Sequence, residues 1–390
     1  MPPAKHSMLG ASKAAQWLGC PPSVLWEQQF PEPPSSEAAE EGTLAHAIAE
    51  EHLRRILAGK KVATSKKLKD DPLYRPVMEE HVATYTDYIM EELTAARAED
   101  AAAVLVIEER VDFSAYVPDG FGTADCIMIA GDHLQVFDFK YGKGVPVEAY
   151  GNPQLRLYGV GALLAYNVLY DIRKVTLHII QPRLDSITSE TLTADELLEW
   201  AEKQVAPKAA LAAKGEGEHT PGEHCRWCRC KNVCRAYAQE QLRLAKLQFD
   251  EPDHVERGPY ELSPEEISEI LSGVDSLTRW AKGIKEWALE QAVHNGATFP
   301  GYKVVLGRSN RIIANEAAAL EALDAAGFTP DRVTKLKGLG DLEDVVGVKK
   351  LSELLGNLIV KPSGKPVLAP DTDKRPAYNS AKSVFEPIED

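Results

Sequence analysis

Between Val104 and Tyr141 the apolar period of the chain shortens from that of a helix to that of a strand, and this shift restricts the fold more than any other feature. Val104 to Phe113, Gly122 to Ala130 and Leu134 to Tyr141 read as three strands. Gly131-Asp132 joins the last two, and a two-residue hairpin loop favours Gly at its first position. Helical patterns flank the strands. Glu37 to Leu57 carries Leu44, Ile48, Leu53, Ile56 and Leu57 on one side, and a second helix is predicted from Pro72 to Ala98. Asn152-Pro153 opens a third, ending near Tyr166, with Asn as N-cap and Pro at the first helical position. Val175 to Gln181 reads as a fourth strand and Thr193 to Ala213 as a further helix. The pattern predicts a mixed α/β core in which antiparallel hairpins feed one crossover.

The remainder divides by composition. Residues 1–36 form an N-terminal segment with a short helix, Ser12 to Leu18, then Cys20 and a Pro-rich connection. Residues 37–215 hold the core and 216–240 a Cys-rich segment. Residues 241–360 read as mainly helical, with a capping box at Ser263-Pro264-Glu265-Glu266 opening a helix to about His294, then a hairpin from Tyr302 to Ile313. Residues 361–390 read as an extended, Pro-rich tail. No apolar run is long enough to span a bilayer, and Met1 to Ser12 has no apolar signal core, so a cytoplasmic protein with no membrane partner is expected. A formal net charge of −15 argues against coating nucleic acid with the whole surface, and leaves room for a local basic groove.

The hairpin concentrates chemistry. With a two-residue loop, Ala130 faces His133, Ile127 faces Val136 and Asp125 faces Asp138, with Cβ atoms about 4.5–5.5 Å apart. Like charges so placed destabilise the pair unless one carboxyl is protonated or both share a cation. Lys140 lies on the face of Asp138 and is expected opposite Thr123, while Phe137 and Phe139 point the other way into the core. Such a face suits Mg²⁺, which takes one or two carboxylates. Separately solvated surface charges are the plain alternative, and a loop one residue longer would undo the opposition. Gln154 and Tyr158 share a helix face, as do His46 and Glu50. A lone helical His is more often structural than a ligand, so the case for His46 rests on its company.

Taken in order, Gly42-Thr43-Leu44-Ala45-His46, Gly122-Thr123-Ala124-Asp125, Asp138-Phe139-Lys140 and Gln154-x-x-x-Tyr158 resemble the motifs of RecB-like nucleases of the PD-(D/E)xK superfamily, over about residues 37–181. The resemblance implies a restriction-endonuclease-like core of order αβββαβ with helical additions. It implies that His46, Asp125, Asp138 and the Phe139 backbone carbonyl hold Mg²⁺ or Mn²⁺, with Lys140 as catalytic lysine. Gln154 and Tyr158 would support the site and the DNA strand. Asp138 stands where many members carry Glu. Glu108 or Glu109 would add an acid, and strand parity leaves both open.

Cys225, Cys228, Cys230 and Cys234 fall within ten residues, a density that reads as a metal site for zinc or iron–sulfur. Either all four bind together, or Cys225, Cys228 and Cys234 join distant Cys20 and leave Cys230 spare. The second grouping resembles the iron–sulfur clasp of AddB-type nucleases and of the RecB-like nucleases of CRISPR adaptation. It implies a [4Fe-4S] cluster on Cys20, Cys225, Cys228 and Cys234, with Zn²⁺ the alternative, stapling the two ends of the nuclease domain. Cys126 reads as a small core residue. Arg226, Arg229, Lys231 and Arg235 interleave with these cysteines around Trp227, either as a patch that tracks a DNA backbone with a stacking ring or as a solvated loop. The Lys-rich stretch 60–69 is a weaker second patch. Trp280 and Trp287 read as core, and Gly307 to Arg311 as a surface turn.

His6 to Ser12 and Trp17 to Pro21, with Lys361 to Pro366 and Asp373 to Pro376, resemble a narrower family of uncharacterised phage and prophage proteins. This implies a phage protein in the bacterial host cytoplasm with a role in phage DNA recombination, replication or repair. A single-strand annealing protein or recombinase would be its partner. The expected activity is a metal-dependent deoxyribonuclease, an exonuclease on DNA ends. The alternative is a catalytically weak adaptor that binds DNA ends for such a partner.

Overall fold

The computed structural model describes residues 7–32, 34–246, 264–304, 338–355 and 358–359. The chain forms two compact units, Met1–Leu336 and Lys337–Asp390. In the first, a 3₁₀ turn leads into α1 (Ala14–Gly19) and α2 (Ser23–Glu27), followed by α3 (Glu37–Leu57), α4 (Lys66–Lys69) and α5 (Val77–Glu99). Three strands follow, β1 (Val104–Asp112), β2 (Phe121–Ala130) and β3 (His133–Phe139), then α6 (Pro153–Tyr170), β4 (Lys174–Gln181) and β5 (Ser186–Thr193). A π turn at Ala201–Val205 joins α7 (Ala194–Trp200) to α8 (Ala206–Lys214), and α9 (Arg235–Lys246) and α10 (Pro264–His294) complete the described part. In the second unit α11 (Leu339–Val346) and α12 (Val348–Leu355) pack together, with Leu351 buried.

The five strands form one sheet in sequence order, antiparallel except for the parallel β3–β4 pair that α6 bridges. Alternation along each strand separates two cores. Ile127, Ile129, Leu134, Val136, Leu177 and Ile179 pack with α6 and the N-terminal segment. Cys126, Met128, Phe137, Phe139 and Ile180 pack with α3 and α5 on the opposite face. Phe137 and Phe139 thus enter the core as expected, and the result is a three-layer α/β/α arrangement.

Several expected boundaries move for local reasons. Helix α3 begins and ends where its periodicity predicts, with the Ser36 side chain accepting from Ala39 N. Helix α5 starts at Val77 and not at Pro72, because Asp71 accepts from Leu73 N in a turn. Helix α6 extends to Tyr170, and Asn152 caps it by accepting from Leu155 N. The Pro-rich connection contains α2, a helix of five residues. Strand β5 was not expected. Its Ser/Thr-rich alternation buries only Glu190, which takes a bidentate pair from Arg156 (Nε–Oε2 2.9 Å). Thr193 then closes a capping box with Glu196. Ser263, most of the expected hairpin, Gly307 to Arg311 and the tail 361–390 lie outside the described residues. Among the described residues, no helix is long and apolar enough to cross a membrane.

Candidate metal centre

The β2–β3 ladder follows the expected register from Ala130–His133 through Ile127–Val136 to Cys126–Phe137, and there it stops. The next pair would be Asp125 and Asp138. Instead the Asp125 carboxylate takes the place of a backbone acceptor, and its Oδ2 receives the Phe139 N–H at 2.7 Å. Strand β3 continues its pairing on the other side, with Lys140 N donating to Ile180 O at 2.9 Å. Because the ladder ends at Cys126–Phe137, the expected Thr123–Lys140 opposition is not part of it.

Where the ladder opens, side chains from five elements converge. His46 of α3 places Nδ1 3.1 Å from Asp125 Oδ1. Lys140 Nζ lies 2.9 Å from Asp138 Oδ2 and donates to Gln154 Oε1 at 3.0 Å, and Gln154 in turn donates to the Tyr158 hydroxyl at 3.1 Å. Asp138 Oδ2 is buried, and the Lys140 ammonium beside it supplies the opposite charge. Phe139 stacks on Tyr85 with ring centroids 4.6 Å apart, which fixes the strand end from the opposite face.

Glu108 is the residue that strand parity could not select. It lies between the pairs Ile107–Cys126 and Glu109–Ala124, across from Asp125, with φ +54°. That left-handed conformation is uncommon for a residue other than Gly, and within a strand it marks a functional or strained position. Ligand atoms of His46, Glu108 and Asp125 all lie within 4.8 Å of one another. Glu109 instead meets Tyr166. Among the described residues, this trio holds Glu108 where the expected ligand set has Asp138.

The electrostatics reflect crowded acids. Burial, then the Asp125 charge, pushes Glu108 up to about 7. Burial also raises Asp138 above the usual carboxylate range, against the pull of Lys140. Burial lowers His46, but the Asp125 carboxylate outweighs it and the net shift is upward. Lys140 likewise stays raised, because Asp138 outweighs its desolvation.

A second cluster lies at the N-terminal flank. Cys20, Cys225, Cys228 and Cys234 line one cavity of about 20 Å³ together with Ser23, Trp26 and His219. Cys230 is fully buried outside that lining and hydrogen-bonds to Cys228. All six cysteines are free, and Cys126 is a core residue of β2. The five basic and aromatic residues nearby are engaged in different ways. Glu27 accepts from Arg229 N at 2.6 Å, and the Arg229 side chain reaches Phe30 O and Glu32. Lys231 donates to Arg226 O at 2.7 Å. Arg226 lies over the exposed Trp227 ring at 5.1 Å, and Arg235 is exposed. In the Lys-rich stretch, Lys69 lies 3.5 Å from Glu79.

A solved structure described as the crystal structure of SSO0001 is 17% identical to this chain, covering 50% of this chain and 85% of that one, at a TM-score of 0.21. The sequence matches one family along residues 6–376, nearly its whole length. The chain belongs to that family, described as protein of unknown function (DUF2800).

Proposed function

We propose that this chain is a Mg²⁺- or Mn²⁺-dependent deoxyribonuclease with a RecB-like, PD-(D/E)xK core, acting as an exonuclease on DNA ends. One observation carries the reading: Asp125, Asp138 and Lys140 meet where the β2–β3 ladder opens, with His46 beside them. The donor set fits a hard cation. Three acids share this small space, and burial with the Asp125 charge pushes Glu108 up to about 7, a crowding that a bound cation would relieve. His46, Asp125, Asp138 and the Phe139 carbonyl would hold the ion, with Glu108 adjoining. When bound, a divalent ion polarises phosphate oxygen and makes water a stronger nucleophile.

The remaining work belongs to the chain. Lys140 keeps its charge next to Asp138, and an ammonium there stabilises the negative charge that grows on a phosphodiester under in-line attack. Gln154 fixes the direction of that ammonium, and Tyr158 fixes Gln154. Asp125 anchors the Phe139 peptide and orients His46. End-labelled linear DNA incubated with Mg²⁺ or Mn²⁺ tests the reading. Wild type should release nucleotides from an end, and Asp138→Ala should lose more than about 100-fold in rate. No cleavage with either metal, or an unchanged Asp138→Ala, would overturn it.

The resemblance supports a [4Fe-4S] cluster on Cys20, Cys225, Cys228 and Cys234, which line one cavity, with Zn²⁺ the alternative. A phage source, with an annealing protein or recombinase as partner, follows from the sequence resemblance alone.

A further inference from the structure

The loop 141–152 leaves the centre at Lys140 and returns to it at Gln154, and the Lys140–Gln154 hydrogen bond of 3.0 Å closes its base. Its inner side is built. The Gln181 amide, 1% exposed, donates to Gly142 O (2.6 Å) and Val145 O (2.9 Å) and accepts from Val147 N (3.1 Å). Thr188 Oγ1 accepts from Ala149 N at 3.0 Å. Its outer side is exposed. Lys143 is exposed, and Tyr150 is 82% exposed. Gly142 and Gly144 flank Lys143, yet neither has a positive φ, and a Cβ on either would meet nothing within 4 Å. A side chain at either position would stand in open space, and glycine leaves the peptide there uncovered.

We propose that this loop is the track for the DNA strand next to the scissile phosphate, with Lys143 taking a backbone phosphate and Tyr150 stacking on a base. The proposal rests on the nuclease reading and deepens it. A stacked base must be unpaired, so the track takes single-stranded DNA or a frayed end. The bare backbone at Gly142 and Gly144 lets the strand lie against the peptide. The three bonds from Gln181 hold the loop in shape before the strand arrives.

Anisotropy of a fluorescent 20-nucleotide single strand, with Ca²⁺ replacing Mg²⁺ and each variant's melting temperature recorded, tests this. Tyr150→Ala should weaken binding about fivefold or more, and Tyr150→Phe should retain it. Lys143→Ala should reduce the slope of log K against log salt by about 0.7. Gly142→Ala and Gly144→Ala should keep or raise the melting temperature while weakening binding. All variants within twofold of wild type, in a protein that binds and cleaves, would sink the track and leave the nuclease standing. Equal loss in Tyr150→Phe and Tyr150→Ala would overturn stacking. A wild type that neither binds nor cleaves would remove the nuclease reading and this one with it.

Discussion

Glu108 shows how one backbone angle redirects a side chain. At φ +54° it sits across from Asp125 and completes a trio that no sequence pattern could reveal, because parity treats Glu108 and Glu109 as alternatives. The positions of Asp125 and Asp138 were legible because a two-residue loop fixes register arithmetically. The break in the ladder was not, since it depends on the Asp125 carboxylate outcompeting a backbone acceptor for Phe139 N. Glu108 has a folded pKa of about 7 against an ordinary 4.5. Its contribution to stability is therefore full below about 4.5 and is lost as pH rises through about 7. In metal-free protein at pH 8 the ionised group opposes folding, so Glu108→Gln should melt higher than wild type there. At pH 4 the gap should close. Mn²⁺ at pH 8 should raise wild type more than the variant. Thermal melts at the two pH values, with and without Mn²⁺, check all three.

At the scale of elements, the parallel β3–β4 pair carries a buried histidine. His178 stacks on Phe137 at 4.6 Å, Nε2 lies 2.9 Å from Gln135 Oε1, and Nδ1 lies 3.0 Å from the Tyr88 hydroxyl. Burial, then the neighbouring His133, lowers its pKa to about 4. A depressed histidine gives stability that is full above 6.5 and is lost as pH falls through about 4, an effect of about 3 kcal/mol. Urea unfolding between pH 7 and 4 should show that loss, and His178→Gln should flatten it. Helix α6 lies so close to β1 that a Cβ at Gly161 would come within 2.8 Å of Val111 Cβ. Gly161→Ala should therefore destabilise the fold by about 1–3 kcal/mol, measurable as a lower denaturant midpoint. Strands with apolar alternation were legible to within a few residues. Strand β5 was not, because its buried residue is a glutamate that needs Arg156, a partner 34 positions away. Helix α2 was hidden by the prolines around it, which mark a connection in composition but also start helices.

For the whole molecule, Cys20 and three cysteines from the segment after the sheet line one cavity. Anaerobically purified protein should absorb near about 400 nm. Cys20→Ser should lose that band, while Cys230→Ser, outside the cavity lining, should keep it. A colourless protein holding zinc would point to the alternative metal. The same flank contains Glu27, a buried carboxylate whose acceptance of the Arg229 amide spans 202 positions. During synthesis that acid has Lys13 and Gln16 for company and nothing more until the ribosome has released Arg229. A chain that stops short of Arg229 therefore leaves this flank without a donor that its buried acid uses in the finished fold.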